Sequence, residues 1–137
     1  MARILAIDYG LKRTGIAVTD PLQIIATALQ TVQTAGLMNF LGDYFKKEHV
    51  ESVIVGEPKN MDNTPSEISK DVESFISELK KKFPDKKIIR VDERFTSKIA
   101  QQTIFNSGLN KKARRDKSLI DKISAVVILQ SYLASIQ

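Results

Sequence analysis

Carboxylates stand at the ends of three short apolar segments of this chain. Asp8 follows Ile4-Leu5-Ala6-Ile7, Glu57 follows Val53-Ile54-Val55-Gly56, and Asp92-Glu93 follow Ile88-Ile89-Arg90-Val91. A carboxylate that closes an apolar segment is costly unless it is paired, hydrogen-bonded or bound to a cation. Because Mg²⁺ takes hard oxygen ligands, these residues are candidates for a divalent-cation site. For Asp8 the alternative is structural: its side chain would accept hydrogen bonds from the backbone of a turn.

The first third of the chain predicts a three-strand meander. Residues 3–7 and 15–20 are strand-like and flank a basic connection that contains Gly10, as in a β-hairpin. Residues 24–32 are rich in β-branched side chains and predict a third strand, antiparallel to the second. Asp8 then lies where the first strand enters the hairpin, and Arg13 lies on the connection itself.

The middle of the chain predicts parallel pairing. Residues 52–56 form a continuous apolar run, which is typical of a strand covered on both faces. Helical spacing precedes this run, from Leu37 to Phe45, and follows it, from Thr64 to Leu79, before a last strand over residues 88–91. Helical connections make such strands parallel through right-handed crossovers. The sequence therefore predicts a single α/β domain over residues 1–137, with a five-stranded mixed sheet of order 3-2-1-4-5 and helices on both faces.

The last third of the chain supplies positive charge and one further acidic candidate. Residues 98–107 are helix-like, and a dense basic tract follows, made of Lys111, Lys112, Arg114, Arg115 and Lys117. The next helix, over residues 118–129, is apolar on nearly every side and carries Asp121 in its first turn. Ser118 as N-cap with Asp121 at the third helical position would be a capping-box variant. A cation-binding role for Asp121 is compatible with that structural role.

Composition narrows the function classes. The chain has 21 Lys and Arg against 16 Asp and Glu, and its net charge of +5 favours an anionic partner. Without cysteine and with His49 as its one histidine, it has no thiolate site and no multi-histidine zinc site. His49 is predicted to lie on a solvated helix end. No uncharged run approaches the roughly eighteen residues of a membrane span, so we expect a soluble, cytoplasmic protein.

Four collinear motifs carry a resemblance to a known family. They are Asp8-x-Gly10 with Arg13-x-Gly15-x-Ala17, Val55-Gly56-x-Pro58-x-Asn60-Met61-Asp62, Asp92-Glu93-Arg94-Phe95-Thr96-Ser97, and Ile120-Asp121-x-Ile123-Ser124-Ala125 with Ile128-Leu129. In this order and spacing the chain resembles the YqgF-type family of pre-16S rRNA nucleases or Holliday-junction resolvases. The resemblance implies a ribonuclease-H-like fold and a cytoplasmic hydrolase that matures the 5′ end of the small-subunit ribosomal RNA precursor.

The resemblance also implies a set of site residues. Asp8, Glu93 and Asp121 match the family's acidic positions and are carried over as catalytic residues and as ligands of Mg²⁺ or Mn²⁺. Glu57 stands where the family usually has leucine, and Asn63 where it has glycine. Glu57 and Asp92 are therefore additional metal-ligand candidates, with a solvent-facing Glu57 as the alternative.

Carboxylates suit phosphodiester hydrolysis for a physical reason. A phosphodiester repels hydroxide, and a pair of divalent ions can activate water on one side and stabilise the leaving oxygen on the other. Arginine and lysine would hold the phosphate backbone. The candidates for nucleic-acid binding are Arg13, Arg94, Lys111, Lys112, Arg114, Arg115 and Lys117.

Several alternatives stay open at this point. The substrate is pre-rRNA or branched DNA, and a homodimer is compatible with the sequence. A noncatalytic ribosome-assembly or transcription factor would use the same basic residues. Asp-x-Gly hairpins also open the ATPase domains of sugar kinases, actin and Hsp70, but those proteins close a cleft between two such domains, and this chain has the length of one.

Overall fold

The structure is a computed structural model and describes residues 2–57, 69–92 and 117–136. Five strands and three helices lie in these ranges. The strands are β1 (Arg3–Asp8), β2 (Arg13–Thr19), β3 (Ala26–Gln33), β4 (Val50–Glu57) and β5 (Lys87–Asp92). The helices are α1 (Leu37–Lys47), α2 (Ser69–Lys82) and α3 (Lys117–Ile136), and a short 3₁₀ turn, Thr34–Gly36, precedes α1. The predicted helix over residues 98–107 falls outside the described residues.

The five strands form one mixed sheet in the order β3-β2-β1-β4-β5. β1 pairs with β2, and β2 with β3, in antiparallel fashion, whereas β1 with β4 and β4 with β5 are parallel. The antiparallel part is the predicted meander, and the parallel part follows from the helical crossovers. The predicted strand order is confirmed.

The third strand begins later than the sequence predicts. Ile24 and Ile25 were expected inside it, but their backbone N–H groups donate to the Asp20 carboxylate at 2.8 Å. These two residues therefore belong to the turn between β2 and β3, and the strand begins at Ala26. A side-chain acceptor in the turn has displaced strand pairing, as is usual for aspartate.

Each face of the sheet has its own apolar core. Leu5 and Ile7 pack with residues of α1 and α2, such as Leu41 and Phe75. Ile4 and Ala6 pack against α3 on the other face. Since successive residues of a strand point to opposite faces, the alternation along β1 explains this division. We call the two sides the α1/α2 face and the α3 face.

The helix α3 lies across β1, β2 and β3. Its buried side chains on the sheet include Ala125, Ile128, Leu129 and Leu133. Ser118 is already inside this helix, so it is not the N-cap, and Asp121 is not at the third helical position. The predicted capping box is therefore wrong, because the helix includes Lys117 as well.

Two other findings concern the described part of the chain. His49 is exposed just beyond the end of α1, as predicted, and its carbonyl accepts a hydrogen bond of 2.8 Å from the Arg3 N–H. None of the helices within the described ranges is both long enough and apolar enough to span a membrane.

Candidate acidic site at the carboxyl edge of the sheet

Three strands end in acidic residues at one edge of the sheet. β1 ends at Asp8, β4 at Glu57 and β5 at Asp92. The parallel register pairs Ile7 with Val55 and Glu57 with Asp92. Neighbouring strands lie about 4.8 Å apart, so the backbones of these three acidic positions are close together. We call this side of the sheet the carboxyl edge.

Strand alternation divides the three acidic positions between the two faces. Asp8 has the register of Ile4 and Ala6, which pack on the α3 face. Position 57 has the register of Val53 and Val55, which belong to the α1/α2 core. Of the three strand ends, only that of β1 therefore places its acidic residue in the register of the α3 face.

Position 92 shares the register of position 57. On β5, Ile88 packs into the α1/α2 core, and Arg90 forms an ion pair with Glu73 of α2. Asp92 is two residues further along the same strand. Positions 57 and 92 therefore lie at the same edge of the sheet as Asp8, but they have the register of the opposite face.

Asp121 has the register of the sheet-facing stripe of α3. It precedes Ala125 by four residues and Ile128 by seven, and both of these are buried against the sheet. Helical residues at these spacings share one face. The backbone therefore places position 121 on the same side of the sheet as Asp8.

The direction of α3 brings position 121 towards the carboxyl edge. Leu133 and Ala134 line a surface cavity of about 370 Å³ together with Ile25 and Ala26. That cavity lies at the opposite edge, where Gln23 donates a hydrogen bond to the Ala2 carbonyl at the start of β1. From residue 133 back to 121 the helix rises about 18 Å, and β1 is about 17 Å long from its first to its last residue. The start of α3, with position 121, is therefore directed towards the end of the sheet at which β1 finishes.

Asp8 itself is half-buried and lies opposite Gly15 of β2. Within the described residues, no three acidic or histidine side chains form a group that could hold a metal ion. Glu93 follows Asp92 directly in the sequence and lies outside the described residues. Further carboxylate ligands of a site at Asp8 are therefore sought among the residues whose side chains are not described, such as Asp121 and Glu93.

The basic candidates are only partly described. Arg13 is exposed at the first residue of β2, at the carboxyl edge, and Lys117 is the first residue of α3. The remaining basic candidates lie outside the described residues: Arg94, Lys111, Lys112, Arg114 and Arg115.

The α1/α2 face has a different chemistry at the same edge. Tyr9 packs against Phe75 of α2 with ring centroids 5.0 Å apart. A cavity of about 320 Å³ beside this pair is also lined by Asp71 and Glu78. Burial raises the pKa of the Tyr9 hydroxyl, and these two carboxylates raise it further. An anionic phosphate would be repelled here, which leaves the α3 face as the better side for a phosphodiester.

Comparison with known proteins identifies the family. A family model described as "RuvX: Holliday junction resolvase" matches residues 2–135. The chain belongs to the RuvX family. The predicted YqgF-type membership, and with it the nuclease class, is confirmed.

RuvX relatives are similar over their whole length. A protein of Christiangramia forsetii is 60% identical, over 97% of this chain and 98% of its own. One of Flavobacterium johnsoniae is 58% identical, over 98% of both chains. Each is named "Putative pre-16S rRNA nuclease".

A solved structure shows the same fold. RuvC of T. thermophilus, in complex with a Holliday junction substrate, aligns with a TM-score of 0.59 at 17% identity, over 99% of this chain and 96% of that one. Together with the strand order, this likeness confirms the predicted ribonuclease-H-like fold.

Proposed function

We propose that this RuvX-family chain is a metal-dependent nuclease that hydrolyses phosphodiester bonds in the pre-16S ribosomal RNA. The observation that supports the proposal is that Asp8 and position 121, although far apart in sequence, both have the register of the α3 face of the sheet. The full-length similarity to relatives named as pre-16S rRNA nucleases supports the substrate.

The donor set suits Mg²⁺ or Mn²⁺. Asp8 offers carboxylate oxygens at a half-buried strand end, and hard divalent cations prefer such ligands. In our proposal Asp8, Asp121 and Glu93 hold the metal. Ions bound there would supply an activated water and stabilise the leaving oxygen. Glu57 and Asp92 are outside this set because their register belongs to the other face.

The nucleic acid is held by cations around the acidic residues. Arg13 lies at the carboxyl edge, where it can form a bidentate contact with a phosphate. Arg94 directly follows Glu93 in the sequence, and the basic tract from Lys111 to Lys117 ends at the start of α3, which carries Asp121. We propose that these residues bind the phosphate backbone of the substrate. We also propose that residues 1–137 form a single domain that acts in the cytoplasm.

A panel of substrates tests this function. Purified protein is incubated with a 16S precursor fragment, a single-stranded RNA, a duplex DNA and a four-way DNA junction, each with Mg²⁺, with Mn²⁺ and with excess EDTA. We expect cleavage of the precursor near its mature 5′ end with either metal and none with EDTA. Preferred cleavage of the four-way junction would instead support the second candidate function, that of a Holliday-junction resolvase, which the family description favours. Tight precursor binding without cleavage of any substrate would support the noncatalytic alternative.

The basic tract gives a separate prediction. Replacing Lys111, Lys112 and Arg114 with glutamine should weaken precursor binding and reduce the slope of log K against log salt by about 0.7 to 0.9 per lost contact. The matched control replaces Lys80, Lys81 and Lys82, which end α2 on the opposite side of the sheet from Asp8, and should leave the slope unchanged. Equal slopes for the two triple variants would contradict the assignment.

A further inference from the structure

The turn between β1 and β2 is closed by a residue from outside the hairpin. This turn, residues 9–12, connects Asp8 to Arg13. Thr34, in the 3₁₀ turn after β3, donates its backbone N–H to the Lys12 carbonyl at 3.0 Å. Its hydroxyl donates to the Gly10 carbonyl at 2.6 Å. A residue 24 positions further along the chain therefore fixes this turn.

The hydroxyls of Thr14 and Thr34 complete a closed ring of hydrogen bonds. Their oxygen atoms are 2.8 Å apart, and Thr14 Oγ1 also accepts from the Gly10 N–H at 3.4 Å. Each hydroxyl has one proton, and that of Thr34 is used on the Gly10 carbonyl, so Thr14 must donate to Thr34. The ring runs from the Gly10 N–H through Thr14 and Thr34 back to the Gly10 carbonyl. Each link polarises the next, and Thr14 is completely buried.

Gly10 leaves this turn little freedom to adapt. A Cβ atom on Gly10 would lie 2.2 Å from the Arg13 carbonyl oxygen, which no side chain could tolerate. The backbone of the turn is thus folded tightly onto the residue that carries the basic side chain. Tyr9 anchors the first residue of the turn on Phe75, and the ring holds the part from Gly10 onwards.

We propose that Thr34 and Thr14 are positioning residues, which hold the basic turn at a fixed distance from Asp8 so that a phosphate bound by Arg13 meets the acidic site. The inference rests on the proposed function, since it assigns Arg13 to the substrate. The printed register of β1 with β2 ends at the pair Asp8–Gly15, and Arg13 lies beyond it, paired with Gln33 of β3. The ring joins the turn to the residue that follows Gln33, so it holds Arg13 at the point where β1 no longer does. Small displacements of positioning groups are known to reduce rates strongly.

Three single variants test the role of the hydroxyl. Thr34→Val keeps the shape of the side chain and removes the ring, Thr34→Ser keeps the hydroxyl, and Thr27→Val changes an exposed threonine on β3 as a matched control. At a temperature well below the unfolding midpoint, we expect kcat/KM for the precursor to fall about 10-fold or more in Thr34→Val. Thr34→Ser should remain within about twofold of the wild type, as should Thr27→Val. A Thr34→Val protein that is less stable but equally active below its midpoint would overturn the proposal.

A double-mutant cycle with Arg13→Gln shows whether Thr34 acts through Arg13. If it does, Thr34→Val should cause less than a twofold further loss in the Arg13→Gln background, whereas independent effects multiply. The cycle is measured on kcat/KM and also on the Kd for the precursor in EDTA, which requires no cleavage. Coupling in Kd without any cleavage by the wild type would contradict the nuclease function and retain the positioning role. The positioning role would be overturned, even in an active nuclease, if the losses caused by Thr34→Val and Arg13→Gln multiply. It would also be overturned if Arg13→Gln changed neither kcat/KM nor Kd.

Discussion

The two ends of β2 carry turns of opposite construction. The turn towards Asp8 is held by Thr34, which is remote in sequence, through a ring of hydroxyl and backbone groups. The turn at the other end, residues 20–25, is held by its own first residue. The Asp20 carboxylate accepts backbone N–H groups of Leu22 at 3.1 Å and of Ile24 and Ile25 at 2.8 Å.

This difference separates local from tertiary control. The hydrogen bonds of the Asp20 carboxylate lie within six consecutive residues, in which Gln23 adopts a φ of 60°. The Gln23 side chain adds a contact with the Ala2 carbonyl, but the backbone of the turn is held by Asp20. The turn beside Asp8 takes its shape only when β3 is in place, because Thr34 follows that strand. The geometry around the acidic site is thus coupled to the folding of the whole antiparallel part of the sheet. Changes at Asp8 and at the turn that follows it should therefore affect cleavage, and changes at the Asp20 turn should affect stability alone.

The largest expected effect is that of Asp121→Asn. Loss of a metal-binding carboxylate should reduce cleavage by at least about 100-fold, since even partners of ligands contribute 10- to 100-fold. The thermal midpoint should hardly change, because Asp121 does not cap α3. Cleavage kinetics and thermal unfolding on the same preparation measure both quantities. A fully active variant would remove Asp121 from the site.

An intermediate effect is expected from Asp20→Asn, and it concerns pH. Backbone hydrogen bonds from Ile25, Ile24 and Leu22 lower the pKa of the Asp20 carboxyl below its ordinary value of 3.8. Its contribution to stability is therefore present above the unfolded pKa and is lost as the pH falls through the folded pKa. Asparagine keeps an acceptor oxygen but does not titrate. Urea unfolding of both proteins from pH 7 downwards should show a stability difference that changes only in the acid range.

The Asp20 turn also tests the comparison through activity. Cleavage by Asp20→Asn should equal that of the wild type at neutral pH. A strong loss of cleavage would mean that the two turns are not independent, and that the distinction between the two ends of β2 is wrong.

The smallest effect is expected for Glu57→Gln. Its register belongs to the α1/α2 face, so cleavage should change by less than about threefold. Asp92→Asn should behave in the same way, for the same reason. Steady-state kinetics on the precursor measure both. A loss comparable to that of Asp121→Asn would show that the acidic site includes residues from both faces at this edge.

Much of the fold follows from local sequence patterns. The continuous apolar run around Val53 predicts a buried parallel strand, and the meander before it predicts the antiparallel pairs, so the order of all five strands could be worked out. The position of Asp8 at a strand end could be predicted for the same reason. Ile24 looked like strand sequence because β-branched residues favour strands, whereas the Asp20 carboxylate decides its conformation in the structure.

The arrangement of the site needed tertiary information. Asp8 and Glu57 both end apolar strands, and only the packing of Ala6 and Val55 shows that they belong to opposite faces. The ring that includes Thr34 has no sequence signature, because it depends on the approach of two segments 20 residues apart. The roles of Glu93 as a metal ligand and of Arg94 as a phosphate-binding residue remain predictions, because both lie outside the described residues.

Asp8→Asn tests the central claim most directly, with Asp20→Asn as a control of identical chemistry at the other edge of the sheet. Cleavage of the precursor, the thermal midpoint and the Kd in EDTA are measured for both proteins. Asp8→Asn should lose at least about 100-fold of cleavage while it keeps its midpoint and binds the precursor equally well or more tightly, because a negative charge near the phosphate is removed. Asp20→Asn should cleave normally. Normal cleavage by Asp8→Asn would contradict the assignment of the acidic site and with it the proposed metal-dependent mechanism.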